Sequence, residues 1–69
     1  MTEKYLMVTG AARDRKLAQL HLKGAIRRLE FAELGFDVVG NRELAELYFE
    51  QACDYETVAI LKERIAKHM

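Results

Sequence analysis

The chain has no proline, no tryptophan, a single cysteine and only four glycines in 69 residues. Each scarcity excludes something. Without proline, no position is obliged to end or kink a helix. With one thiol, Cys53, no internal disulfide can staple the fold, and such usage fits a reducing compartment. No apolar run approaches the ~18 residues that a membrane-spanning helix needs. The start MTEKYLMVTGAARDRK carries only the short apolar patch Tyr5 to Val8, too little for a secretory leader. The expected setting is the cytoplasm. Excess charge is missing as well, since eleven Lys and Arg balance eleven Asp and Glu. Nucleic-acid binders draw most of their affinity from phosphate neutralisation. The only basic runs here are RDRK at 13–16 and IRR at 26–28.

What is abundant is Ala, Leu, Glu, Lys and Arg, the strong helix formers, with 32% of residues charged. An all-α fold follows, as one small domain over 1–69. A chain this short buries only about 60% of its unfolded surface. It therefore depends on a further source of stability, such as oligomerisation or close helix packing. Helix one is expected at about 11–34, with Gly35 as its C-cap candidate. GFDVVGN at 35–41 is the one breaker-rich segment, and Asn41 is placed to cap a second helix at about 42–68. So short a loop makes the helices antiparallel neighbours, an α-helical hairpin. Residues 1–10 admit two arrangements. Thr9 could cap a helix starting near Gly10 and leave a short third N-terminal element, or Thr2 could cap a longer first helix from Glu3.

The apolar spacing sets the seams. Alanine recurs at 11, 18, 25 and 32, with Leu22, Leu29 and Phe36 on an adjacent line. A line without bulk lets two antiparallel helices approach closely. In the second helix Leu44, Leu47, Tyr48, Gln51, Tyr55, Val58, Leu61, Ile65 and Met69 keep one helical phase. Asp54 could cap a third helix starting at Tyr55, but the continuity favours one unbroken helix across ACDYET, with this line against the alanines of helix one. Both helices carry surplus apolar residues: Leu17, Leu20, Phe31 and Leu34 on the first, and Phe49 and Ile60, with Ala45, Ala52 and Ala59, beside the main line of the second. One partner helix covers one line, so the remainder is expected to be buried by an arm of this chain or by another chain.

No constellation for catalysis is present. His21, His68 and Cys53 lack metal-ligand spacing, and Cys53 is expected to be a small, partly buried packing residue. The glutamates at 43, 46, 50, 56 and 63 recur at the spacing of a solvated helix face, and a hairpin has no cleft for a carboxylate pair. No phosphate loop, nucleophile elbow or dinucleotide fingerprint occurs. No catalytic residue, cofactor, metal or small-molecule substrate is expected.

RELAELY followed by ETVAILKERI resembles the helix-turn-helix of bacterial repressors. The intervening FEQACDY, however, is glycine-free and longer than the tight turn of that motif. LAELYFEQACDYE resembles the start of a tetratricopeptide unit, without neighbouring units to stack on. FDVVGNRELAELY with MTEKYLM resembles small enterobacterial co-regulators that bind a nucleoid protein, but their central Ala-Asp-His-Arg run is absent. In size and hairpin design, with YETVAIL on the second helix, the chain is similar to small co-chaperones of type III secretion needle subunits. The last two resemblances imply a small helical protein that acts by binding another protein.

The sequence therefore points to a non-enzymatic interaction module: an adaptor, small chaperone subunit or inhibitor, bound to another protein or to itself as a homodimer. The expected interface residues are Leu17, Leu20, Phe31, Leu34, Tyr48, Phe49, Tyr55 and Ile60. The alternative is a transcriptional regulator or co-regulator that meets DNA or a DNA-bound protein through Arg13, Arg15, Lys16, Arg27 and Arg28.

Overall fold

The computed structural model describes residues 2–69. They form two helices, α1 (Glu3–Glu33) and α2 (Val38–Lys67), packed as an antiparallel hairpin. Helix α1 begins earlier than 11 because Thr2 is its N-cap, its side chain accepting from the Tyr5 N–H at 3.1 Å. Residues 3–10 thus extend α1 and form no third element. Thr9 lies inside the helix, its hydroxyl donating to the carbonyls of Tyr5 and Leu6. Helix α2 runs unbroken past Cys53 and Asp54, so the repressor-like segment contains no turn. Neither helix is long and apolar enough to cross a membrane.

The turn is built from few residues. Leu34 is the C-cap of α1, and Gly35 follows with φ of 88°, which glycine adopts without steric cost. The Gly35 N–H donates to the Ala32 carbonyl and the Phe36 N–H to the Phe31 carbonyl, each at 3.0 Å. That pair of bonds is a Schellman motif, and the usual apolar contact accompanies it: the Phe31 and Phe36 rings meet edge-on at 6.4 Å.

Helix α2 starts earlier than expected. Its N-cap is Asp37, in the left-handed region with its carboxylate accepting from the Gly40 N–H, and not Asn41. A side chain on Gly40 would collide with that carboxylate. Asn41 is instead buried within the helix. Its amide donates to the Phe36 carbonyl at 2.6 Å and accepts from the Arg28 guanidinium at 3.4 Å, tying the turn to both helices.

The core departs most from expectation. Among the described residues the buried apolar side chains are all alanines: Ala11, Ala18, Ala25 and Ala32 from α1, and Ala45, Ala52, Ala59 and Ala66 from α2. The line Leu44, Leu47, Val58, Leu61 and Ile65, expected against helix one, is exposed, as are Leu22, Leu29 and Phe36. Two facing lines of small side chains permit axes at the short end of the usual about 8–10 Å separation. At such proximity a leucine beside the seam points past the partner helix and cannot lie beneath it.

Candidate protein-interaction surface

Alanine at every seventh position leaves two faces flanking the seam, each contributed by both helices. On the first face, α1 presents Asp14, Leu17, His21, Gly24, Arg28 and Phe31. On the same side α2 presents Asn41, Leu44, Tyr48, Gln51, Tyr55, Val58, Lys62 and Ile65. Polar pairs close its midline. Lys62 Nζ donates to Asp14 Oδ2 at 2.7 Å. The His21 ring lies against Tyr55 at 5.1 Å and edge-on to Tyr48 at 6.0 Å between centroids. His21 Nδ1 is 2.8 Å from the Leu17 carbonyl, so it carries the proton and donates. Gly24 faces the Tyr48 ring, which a Cβ at this position would touch at ordinary contact distance.

On the second face stand Arg15, Leu22, Ile26, Leu29 and Phe36 of α1 with Val39, Phe49, Cys53, Glu56, Ile60 and Glu63 of α2. Arg15 spans two carboxylates, bonding Glu56 and, through Nε at 3.3 Å, Glu63. Leu22, Phe49, Ala18 and Ala52 line a shallow groove of about 220 Å³ beside this cluster. Cys53 lies exposed at the groove's edge and does not pack inward.

The register follows from these contacts. His21 sits between Tyr48 and Tyr55, and Arg15 between Glu56 and Glu63, each pair one heptad apart. A residue of α1 therefore falls level with the gap between heptad equivalents of α2, and the two alanine lines interleave.

The hydrogen bond from Arg15 holds the Glu63 carboxyl below its ordinary range and raises Arg15 in turn. A depressed folded-state pKa contributes stability above the unfolded value, about 4.3 for glutamate. That contribution is lost as pH falls through the lowered value. Glu63→Gln is therefore expected to flatten the acid limb of the stability profile below about pH 4.3. Urea titrations followed by circular dichroism at pH 3 to 6 would show it; an identical acid limb in the variant would contradict the pairing. Because the pair is exposed, added salt is expected to weaken it.

The anticipated interface residues divide between the faces. Leu17, Phe31, Tyr48 and Tyr55 stand on the first, with Leu20 and Leu34 at its outer edge, while Phe49 and Ile60 belong to the second. Leu17, Tyr48 and Tyr55 are half-buried by the hairpin itself, and Leu34 is 71% exposed. The five basic residues do not form one patch. Arg15 and Arg28 bond Glu56, Glu63 and Asn41 within the hairpin, on opposite faces. Arg13 and Arg27 project along one outer line and Lys16 along the other.

Two features escaped the sequence analysis: that the alanines of α2, read as part of a side line, form its packed seam, and the place of Asn41 at the turn. The first had a signal, since alanines at 45, 52, 59 and 66 repeat the spacing of helix one. No protein-family model matches this chain, and no curated protein or solved structure matches it.

Proposed function

We propose that this hairpin is a non-enzymatic cytoplasmic protein-interaction module, completed when an apolar face is buried against another helical surface, in self-association or on a partner. It serves as an adaptor, small chaperone subunit or inhibitor. One observation carries this reading: among the described residues the buried apolar side chains are all alanines, while most of the large apolar side chains are exposed. The shape agrees. The accessible surface is 5449 Å², against about 4,450 Å² for a compact monomer of this mass. The radius of gyration is 15.5 Å, against about 11 Å for a compact domain of this length. Apolar rows this extensive on so small a body mark an interface.

Sedimentation velocity across roughly 1 to 100 µM, the range in which modest helical interfaces assemble, tests the proposal together with binding of an apolar dye. The expected result is concentration-dependent association, or a dye-binding monomer of low stability that a partner rescues. A strictly monomeric, highly stable chain that takes up no dye would overturn it.

A further inference from the structure

We propose that the α1 side of the first face docks a partner of definite chemistry: an amphipathic helix of another protein that carries carboxylates among its apolar residues. This rests on the interaction-module reading and names the chemistry of the partner. The first face holds a cation that the hairpin leaves unanswered. Arg28 is half-buried on the midline, between Gly24 and Phe31 of its own helix, and the bond it makes is to the neutral Asn41 amide, at 3.4 Å. The other cations beside the seam are neutralised, Lys62 by Asp14 and Arg15 by Glu56 and Glu63. Among the described residues those are the ion pairs, so Arg28 has no carboxylate. Arg13 and Arg27, exposed on the adjoining outer line with Leu20 and Leu34, have none either. Even Glu30, one turn beyond Arg27, forms no ion pair with it.

That charge restricts what can cover the face. A wholly apolar surface laid over Arg28 would strand a guanidinium away from water, which is costly unless an anion meets it. The planar fork of the guanidinium matches a carboxylate. The same face of a second copy would bring another unanswered Arg28. A nucleic acid would bring phosphates, but nothing to cover Leu20, Phe31 and Leu34, each more than a third exposed. A helix with apolar residues and carboxylates on one side meets both needs. Spacing narrows it further. Arg13 and Arg27 are two heptads apart, about 21 Å along α1 at about 1.5 Å per residue, and Arg28 is at the level of Arg27. A helix lying along α1 therefore places its carboxylates about fourteen residues apart, with apolar residues between them over Leu17 and Leu20.

The test presents the full chain to a displayed library of helices of about 25 residues, long enough to span both arginine levels. One side of each helix is randomised among Leu, Ala, Gln, Glu and Lys. The selected helices are expected to carry glutamates among leucines at the two levels. Affinity of the tightest one is then read by fluorescence anisotropy. Arg28→Gln is expected to weaken it more than about 10-fold, as for a covered charge pair, and the exposed Arg27→Gln by less than about 5-fold. Glutamine in place of the peptide's glutamate removes the Arg28 effect. Circular dichroism checks the fold of Arg28→Gln. If that variant loses helix, Arg27→Gln and the peptide substitution, read on the wild-type chain, decide the matter.

A selection that yields no binder, or uncharged or lysine-bearing helices, overturns the proposal. So does affinity that survives Arg28→Gln but is lost in Phe49→Glu on the second face. Duplex DNA that binds more tightly than the peptide, with the same arginine dependence, overturns it in favour of phosphate. Self-association of the wild type that Arg28→Gln abolishes overturns it in favour of a second copy. Each of the protein outcomes leaves the interaction module standing, which falls only to a stable, dye-free monomer, so the two failures are distinguishable.

Discussion

Ala25→Leu is expected to destabilise the hairpin by about 3 kcal/mol, the upper end of the usual cost of overpacking. Ala25 is completely buried, and so is Ala59 on the other helix. The added isopropyl group has no void to enter, because the line opposite is also alanine and the helices approach through it. Either the axes separate, which uncovers the flanking packing of His21 against Tyr48 and Tyr55, or the leucine adopts a strained rotamer. A 69-residue domain has a total stability of roughly 3–10 kcal/mol, so this one change removes a large share of it. Urea denaturation followed at 222 nm would measure the shift in midpoint. Ala12→Leu provides the control on the same helix. Ala12 is exposed, and the change there is expected to lie within about 0.5 kcal/mol. Equal midpoints for the two variants would mean that the alanine line is not the packed seam.

Asn41→Leu is expected to cost about 2 kcal/mol, for the opposite reason, since it removes partners and adds no bulk to a tight space. The Asn41 amide is buried and serves the Phe36 carbonyl and the Arg28 guanidinium at once. Leucine fills a similar volume but answers neither. Asn41→Asp separates the two roles. A carboxylate still accepts from Arg28 but cannot donate to Phe36, and its charge opposes the carbonyl dipole. Arg28→Met removes only the longer bond and is expected to cost less than either change at 41. Thermal unfolding of the three variants in parallel would rank them. If Arg28→Met proved the most damaging, the turn would depend on the guanidinium and not on the carbonyl bond.

The turn also shows how far local sequence carries. Gly35 in GFDVVGN is legible as a helix terminator because only glycine takes a left-handed conformation without strain. Asn41 is legible as a turn residue, but not its role. N-cap preferences are shared by Asp and Asn, and two candidates four residues apart differ only in which side chain the folded turn needs elsewhere. Asp37 caps, and Asn41 is left free to reach back to Phe36 and across to Arg28. At the other end, Thr2 and Thr9 were equally good caps by type. Nothing between them breaks a helix, so α1 extends to the earlier one.

The candidate surface was legible in its members and not in their arrangement. Leu17, Leu20, Phe31 and Leu34 stood out as surplus to a single seam. The line from Leu44 to Ile65 stood out as the main seam of α2. In the folded hairpin these belong to one continuous face, on the same side of the molecule. Phe49 and Ile60, expected to one side of that line, lie on the other face.

By itself the sequence determined the helices, the turn between them, the unbroken run of α2 and which residues share a line along each helix. Those are properties of one chain segment, decided by propensity, breakers and a period of about 3.6 residues. Only the tertiary structure decided which line faces which. Each helix offers several apolar lines, and burial belongs to the pair. Leucines would hold the axes apart. Two alanine lines let the backbones close up and bring His21, Asp14 and Arg28 within reach of Tyr48, Tyr55, Lys62 and Asn41. The small residues take the seam because proximity makes those flanking contacts possible, and the large ones are left outside as surface.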